Sequence, residues 1–126
     1  MRWMSTRFHG VMDYIGGLLL IAMPWIGDFA RGGAETWTFV IIGAAMIAMA
    51  MITDYECGLL DGMKMSTHLF MDAIAGAVLA LSPWLFGFSD FVWMPHLIFG
   101  VLEIGAALMT RTVPEHHALM YRERHV

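Results

Sequence analysis

Apolar positions along the chain fall into four long blocks, residues 9–27, 36–53, 67–86 and 94–110, joined by short polar stretches. The block at 36–53 carries no charge at all. About 20 apolar residues in a helix span the roughly 30 Å hydrocarbon core of a bilayer, so each block reads as a membrane-crossing helix. One helix that is apolar all round can be buried in a soluble core. Four of them in 126 residues leave no polar exterior to bury them. The joints divide the chain in the same way. Residues 27–35 (GDFARGGAE) and 87–93 (GFSDFVW) have turn chemistry, and 54–66 (DYECGLLDGMKMS) is the longest interior loop. Residues 1–8 form an amphipathic lead-in, with Arg2, Trp3 and Arg7 suited to lipid headgroups. Residues 111–126 form a polar tail, with helical character around HHALMYRER.

The pattern of the first block recurs. His9–Phe29 (HGVMDYIGGLLLIAMPWIGDF) aligns without a gap on His68–Phe88 (HLFMDAIAGAVLALSPWLFGF), 59 positions later, with nine identities in 21 positions. These are His9/His68, Met12/Met71, Asp13/Asp72, Ile15/Ile74, Gly17/Gly76, Leu20/Leu79, Pro24/Pro83, Trp25/Trp84 and Phe29/Phe88. The second and fourth blocks match with a shift of 57, pairing Gly43 with Gly100, Ala50 with Ala107 and Thr53 with Thr110. The expected fold is therefore an all-α membrane protein. Its four transmembrane helices form two tandem helical-hairpin repeats, at about residues 9–53 and 68–110 of a single domain covering 1–126. A unit that crosses twice returns to its starting side, so both repeats enter the bilayer in the same direction and are parallel.

Composition agrees with this. Hydrophobic residues make up 59% and charged residues 14%, against about 25% charged in an average soluble chain, and the mean hydropathy is +0.65. The net charge of −4 comes without a basic run, which argues against nucleic acid as a partner. Arg2, Arg7, Lys64, Arg111, Arg122 and Arg124 share one side of the expected topology and only Arg31 lies on the other. The positive-inside rule then puts both termini and the tail in the cytoplasm, in an inner membrane. Trp25, Trp37, Trp84 and Trp93 gather at the outer interface as an aromatic belt. Cys57 is the only cysteine and falls on the reducing side, so an intrachain disulfide is excluded. The first block carries Asp13, ends in Pro24-Trp25 and lacks a small-residue cleavage site, so it does not read as a cleavable signal.

A Pro-Trp pair near the outer end of the first helix of a two-helix membrane repeat resembles the SPW-repeat membrane proteins. The motif stands here as Ser82-Pro83-Trp84, and as Met23-Pro24-Trp25 in the first repeat. The resemblance covers nearly the whole chain except the termini. It implies a small bacterial or archaeal integral membrane protein with two transmembrane helices per repeat, and it implies no activity.

The candidate site residues come from the same comparison. His9, Asp13, Gly17, Leu20 and Pro24 are spaced 4, 4, 3 and 4 apart, which sets them on one helix stripe. His68, Asp72, Gly76, Leu79 and Pro83 make the same stripe. The stripes are expected to meet at the pseudo-twofold axis, with Gly17 and Gly76 permitting close approach of helices 1 and 3. Each histidine could pair with its own aspartate or with Arg7 and fix helix packing. The four together could instead bind a proton or a divalent metal such as Zn²⁺. No cofactor is otherwise expected. Pro24 and Pro83 should kink or end their helices, with Ser82 bonding to a freed carbonyl. Trp25 and Trp84 act as interfacial anchors.

Glu103 lies in the fourth block without an acidic counterpart in the first repeat, where Met46 takes its place, and His96 precedes it by seven residues on the same face. Lipid cannot solvate such an acid, so Glu103 with His96 is expected at a helix–helix contact between subunits or partners. Ala44/Ala48 and Ala73/Ala77 are further small-residue pairs for helix contacts. The 13 methionines read as adaptable packing, and His116, His117 and His125 as a solvated tail. No serine–histidine pair, zinc-protease motif, CxxC or phosphate loop supports an enzyme. The leading expectation is a non-enzymatic membrane scaffold, accessory subunit or oligomer-forming module in the lipid bilayer. The alternative is a proton, metal or small-ligand binding or transport module that uses the His/Asp stripe.

Overall fold

A computed structural model describes residues 2–114 and His117. It contains four helices, α1 (Thr6–Ile26), α2 (Ala34–Ile52), α3 (Met65–Leu85) and α4 (Met94–Met109). No strand forms among the described residues, where the only β pairing is two isolated bridges. The helices fall within three residues of the apolar blocks. α1 starts earlier than expected because Ser5 caps it, its hydroxyl accepting from the Phe8 amide at 3.1 Å. Part of the expected lead-in is therefore helical. The tail expected at 111–126 lies mostly outside the described residues, together with His116 and His125.

Three helices, α1, α2 and α3, are long and apolar enough to cross a membrane. α4 has 16 residues, about 24 Å of helix. Side chains such as Ile15, Leu18, Ile41, Phe70, Val101 and Leu102 point outward. An apolar surface of this kind is a liability in water and is solvated by acyl chains in a membrane. The prolines sit in the last turns of α1 and α3, and the helices run two residues beyond them. Each helix then closes in the same way. Asp28 and Gly87 take positive φ (56° and 73°). The Phe29 and Phe88 amides donate back to the Pro24 and Pro83 carbonyls at 2.9 and 2.8 Å, which satisfies orphan end groups. Pro83 cannot donate to the Leu79 carbonyl, and the Ser82 hydroxyl does so instead at 2.7 Å.

Glycine decides which helices touch. A Cβ on Gly17 would stand 2.8 Å from the Gly43 carbonyl oxygen, and one on Gly76 2.8 Å from that of Gly100. The repeat-matched glycines thus seat α1 on α2 and α3 on α4. This corrects the expectation that Gly17 and Gly76 bring α1 and α3 together. The small residue is needed where consecutive helices press backbone to backbone, and the space between α1 and α3 is filled by side chains. Leu20, Leu79, Phe39, Ile42 and Met46 form the core at one end. Ala50, Tyr55, Met65 and Leu69 form a second cluster at the other.

The ends of the helices are tied crosswise. Met4, ahead of α1, bridges to Thr110 after α4, and Met63, ahead of α3, bridges to Thr53 after α2. These two bridges occupy equivalent positions in the two repeats.

Candidate functional site

Between the two core clusters lie His9, Asp13, His68 and Asp72, each at most 2% exposed. Spacing of four puts each histidine one turn before its own aspartate. The shortest contacts nevertheless cross between repeats. His9 Nε2 is 2.8 Å from Asp72 Oδ2 and His68 Nε2 is 2.9 Å from Asp13 Oδ2. The within-helix contacts are longer, 3.2 Å for His9–Asp13 and 3.0 Å for His68–Asp72. The imidazoles meet edge to face, with centroids 5.5 Å apart. Pairing of each histidine with its own aspartate is therefore the weaker half of the arrangement, and among the described contacts neither histidine meets Arg7.

Two threonines orient the rings. The Thr53 hydroxyl donates to the Met49 carbonyl at 2.5 Å and the Thr110 hydroxyl to the Ala106 carbonyl at 2.6 Å. With its proton committed there, each hydroxyl accepts from an imidazole Nδ1–H. The distances are 2.7 Å for His68 to Thr53 and 2.8 Å for His9 to Thr110. Nδ1 thus holds a proton in both rings, and Nε2 points at the carboxylates. Two states satisfy that geometry. In one, each ring is an imidazolium whose Nε2–H donates to aspartate. In the other, a cation sits between bare Nε2 atoms and the carboxylates. Asp72 uses Oδ2 for both histidines, while its buried Oδ1 has no hydrogen-bond partner.

A crevice of about 190 Å³ between α1 and α4 reaches the quartet. His9, Asp13, Leu20, Met46, Phe99 and Glu103 line it. Glu103 is among the lining residues, and its buried Oε1 has no hydrogen-bond partner. His96 lies elsewhere, fully buried against Phe29, Phe39 and Phe88, with its Nε2–H donating to the Glu35 carbonyl at 2.9 Å. The two residues share a helix side but form no common site. His96 is enclosed by its own bundle, which corrects the expectation that it joins Glu103 at a contact with another subunit or partner. Trp25 and Trp84 stand outward, 60% and 52% exposed, while Pro24 and Pro83 are buried.

Thr53 and Thr110 are the site residues that sequence reasoning missed. Their repeat identity was visible, but nothing in it placed a helix-end hydroxyl against a ring from another helix. Glu35 was also missed. Its carboxylate accepts from the Arg31 and Gly33 amides ahead of α2 at 2.9 and 3.1 Å. Below the quartet, the middle loop packs through Tyr55, whose ring is 5.8 Å from that of His68. Burial first, and then the Asp13 carboxylate, pushes the Tyr55 phenol above its ordinary range. The Cys57 thiol is likewise raised by burial and by neighbouring Glu56.

These features define an all-helical protein of membrane type, with three helices apolar enough to cross a bilayer and a buried His/Asp centre. The SPW repeat domain matches residues 5–110, and the chain belongs to that family. Comparison with curated proteins and with solved structures returned no match.

Proposed function

We propose that this is a small non-enzymatic module of the cytoplasmic membrane, a scaffold or accessory subunit that assembles with copies of itself or within a larger complex. It crosses the bilayer four times as two parallel hairpins, with both termini inside. The carrying observation is the quartet. It joins the two repeats by contacts between His9 and Asp72 and between His68 and Asp13, wholly inside the bundle. Polar chemistry is spent on holding the halves in register, and the exterior is left apolar for lipid and for other helices. Exposed Ala44 and Ala48, four apart on α2, supply a small-residue face of the kind on which membrane helices associate. Topology reporters at the two ends and in the middle loop, with native mass spectrometry from lipid nanodiscs, test the reading. Cytoplasmic ends and loop with a stable multimer or companion are expected; a strict monomer without a companion, or an external terminus, would overturn it.

A further inference from the structure

We propose that the quartet binds one divalent first-row transition-metal cation of the Zn²⁺ class, through Nε2 of His9 and His68 and one carboxylate oxygen each of Asp13 and Asp72. One such atom from each residue lies within 4.8 Å of all the others, and all four residues are buried. Tetrahedral sites with metal–ligand distances of about 2.0–2.1 Å have ligand atoms about 3.3 Å apart. The His–Asp separations of 2.8 to 3.2 Å need only a small expansion to reach that spacing. Two imidazoles and two carboxylates make a mixed nitrogen and oxygen set suited to such ions. Ca²⁺ and Mg²⁺ prefer six or more oxygen ligands. With neutral histidines the set carries two negative charges, which one divalent ion balances in a medium that does not tolerate net charge.

Two further features point to a cation. Both ligand nitrogens are Nε2, each with Nδ1–H anchored on a threonine that has no donor left to offer. Such second-sphere bonds orient metal-binding histidines and set which ring nitrogen is free. The Asp72 carboxylate, fully buried, keeps Oδ1 without a partner. The α1–α4 crevice provides a route to His9 and Asp13, with Glu103 as an acid along it.

The site goes beyond the scaffold reading, and its test stands apart from that of the scaffold. Full-length protein without an affinity histidine tag is purified in mild detergent, stripped with chelator and titrated with Co²⁺, then Zn²⁺. The intense visible bands of four-coordinate Co²⁺ should saturate at one ion per chain and be displaced by Zn²⁺. Asp13→Asn combined with Asp72→Asn should abolish them at unchanged helix content. Thr53→Val should weaken binding by about 10–100-fold, and Glu103→Gln should slow loading without changing the spectrum. Folded wild-type protein that shows no four-coordinate spectrum overturns the proposal. So does a spectrum that survives in the double aspartate variant, which would assign the ion to tail histidines. Should that variant not fold, unchanged affinity in folded Thr53→Val overturns it equally. A protein without the spectrum whose His9–Asp72 coupling persists keeps the internal link and loses only the metal.

Discussion

His9 Nε2 stands 2.8 Å from Asp72 of the opposite repeat, closer than the 3.2 Å to Asp13 on its own helix. The reciprocal pair, His68 and Asp13, is 2.9 Å apart, so the relationship is the same in both directions. The interaction that sequence spacing suggests is thus subordinate to one that only folding creates. Removing one partner leaves the other buried with only its longer contact, His68 for Asp72 or Asp13 for His9, and losing one partner of a buried pair costs up to about 3–5 kcal/mol. His9→Ala and Asp72→Ala should each destabilise by that order. The double variant should cost clearly less than the sum, because the two share one interaction. Reversible unfolding in mixed micelles measures this, and additive single effects would refute a direct link. The His68/Asp13 cycle should give the same coupling.

The threonines at the ends of α2 and α4 are expected to behave as a matched pair. Thr53→Val and Thr110→Val each leave a buried imidazole N–H without an acceptor, a loss of about 1–3 kcal/mol. Serine at either position keeps the hydroxyl and should recover most of that stability. The same unfolding assay decides it. Equal losses for valine and serine would show that packing of the methyl group matters and the hydrogen bond does not.

Adjacent glycines in α1 should respond in opposite ways. A Cβ on Gly17 would meet Ile47 Cγ1 at 2.6 Å and the Gly43 carbonyl at 2.8 Å, whereas one on Gly16 would meet only the Met46 methyl at 3.7 Å. Gly16→Ala should be neutral or stabilising, since alanine improves helix propensity by about 1 kcal/mol. Gly17→Ala should separate α1 from α2 and destabilise by more than that gain. Thermal stability in detergent tests the contrast, and a Gly17→Ala protein as stable as Gly16→Ala would be evidence against close glycine packing.

Cys57 offers a chemical test of sidedness. The loop that carries it is expected in the cytoplasm, so a membrane-permeant maleimide should label it in intact cells and an impermeant one should not. Its thiol lies above the usual range through burial and Glu56. At neutral pH less thiolate is present than in a free cysteine, and labelling should be slow and should accelerate as pH rises. Rapid labelling by the impermeant reagent would put the loop outside and reverse the topology.

Much of this architecture follows from the chain alone. Apolar blocks of membrane-spanning length predict the helices to within three residues, because in lipid every backbone amide must bond inside its own segment. The ungapped match of His9–Phe29 to His68–Phe88 predicts two equivalent halves, and the conserved pairing within the chain singles out His9, Asp13, His68 and Asp72 as the polar set. Spacing along a helix reports only which residues share a face. It does not say which neighbour that face meets. Tertiary packing decided that Gly17 serves α2 and not α3, that each histidine reaches the aspartate of the other repeat, and that Thr53 and Thr110 hold the rings. It also decided that Glu103 lines the same crevice as His9 and Asp13, while His96 is sealed among phenylalanines. Such contacts depend on the relative rotation and depth of separate helices, set by the summed packing of all four, and no local pattern in the sequence encodes them.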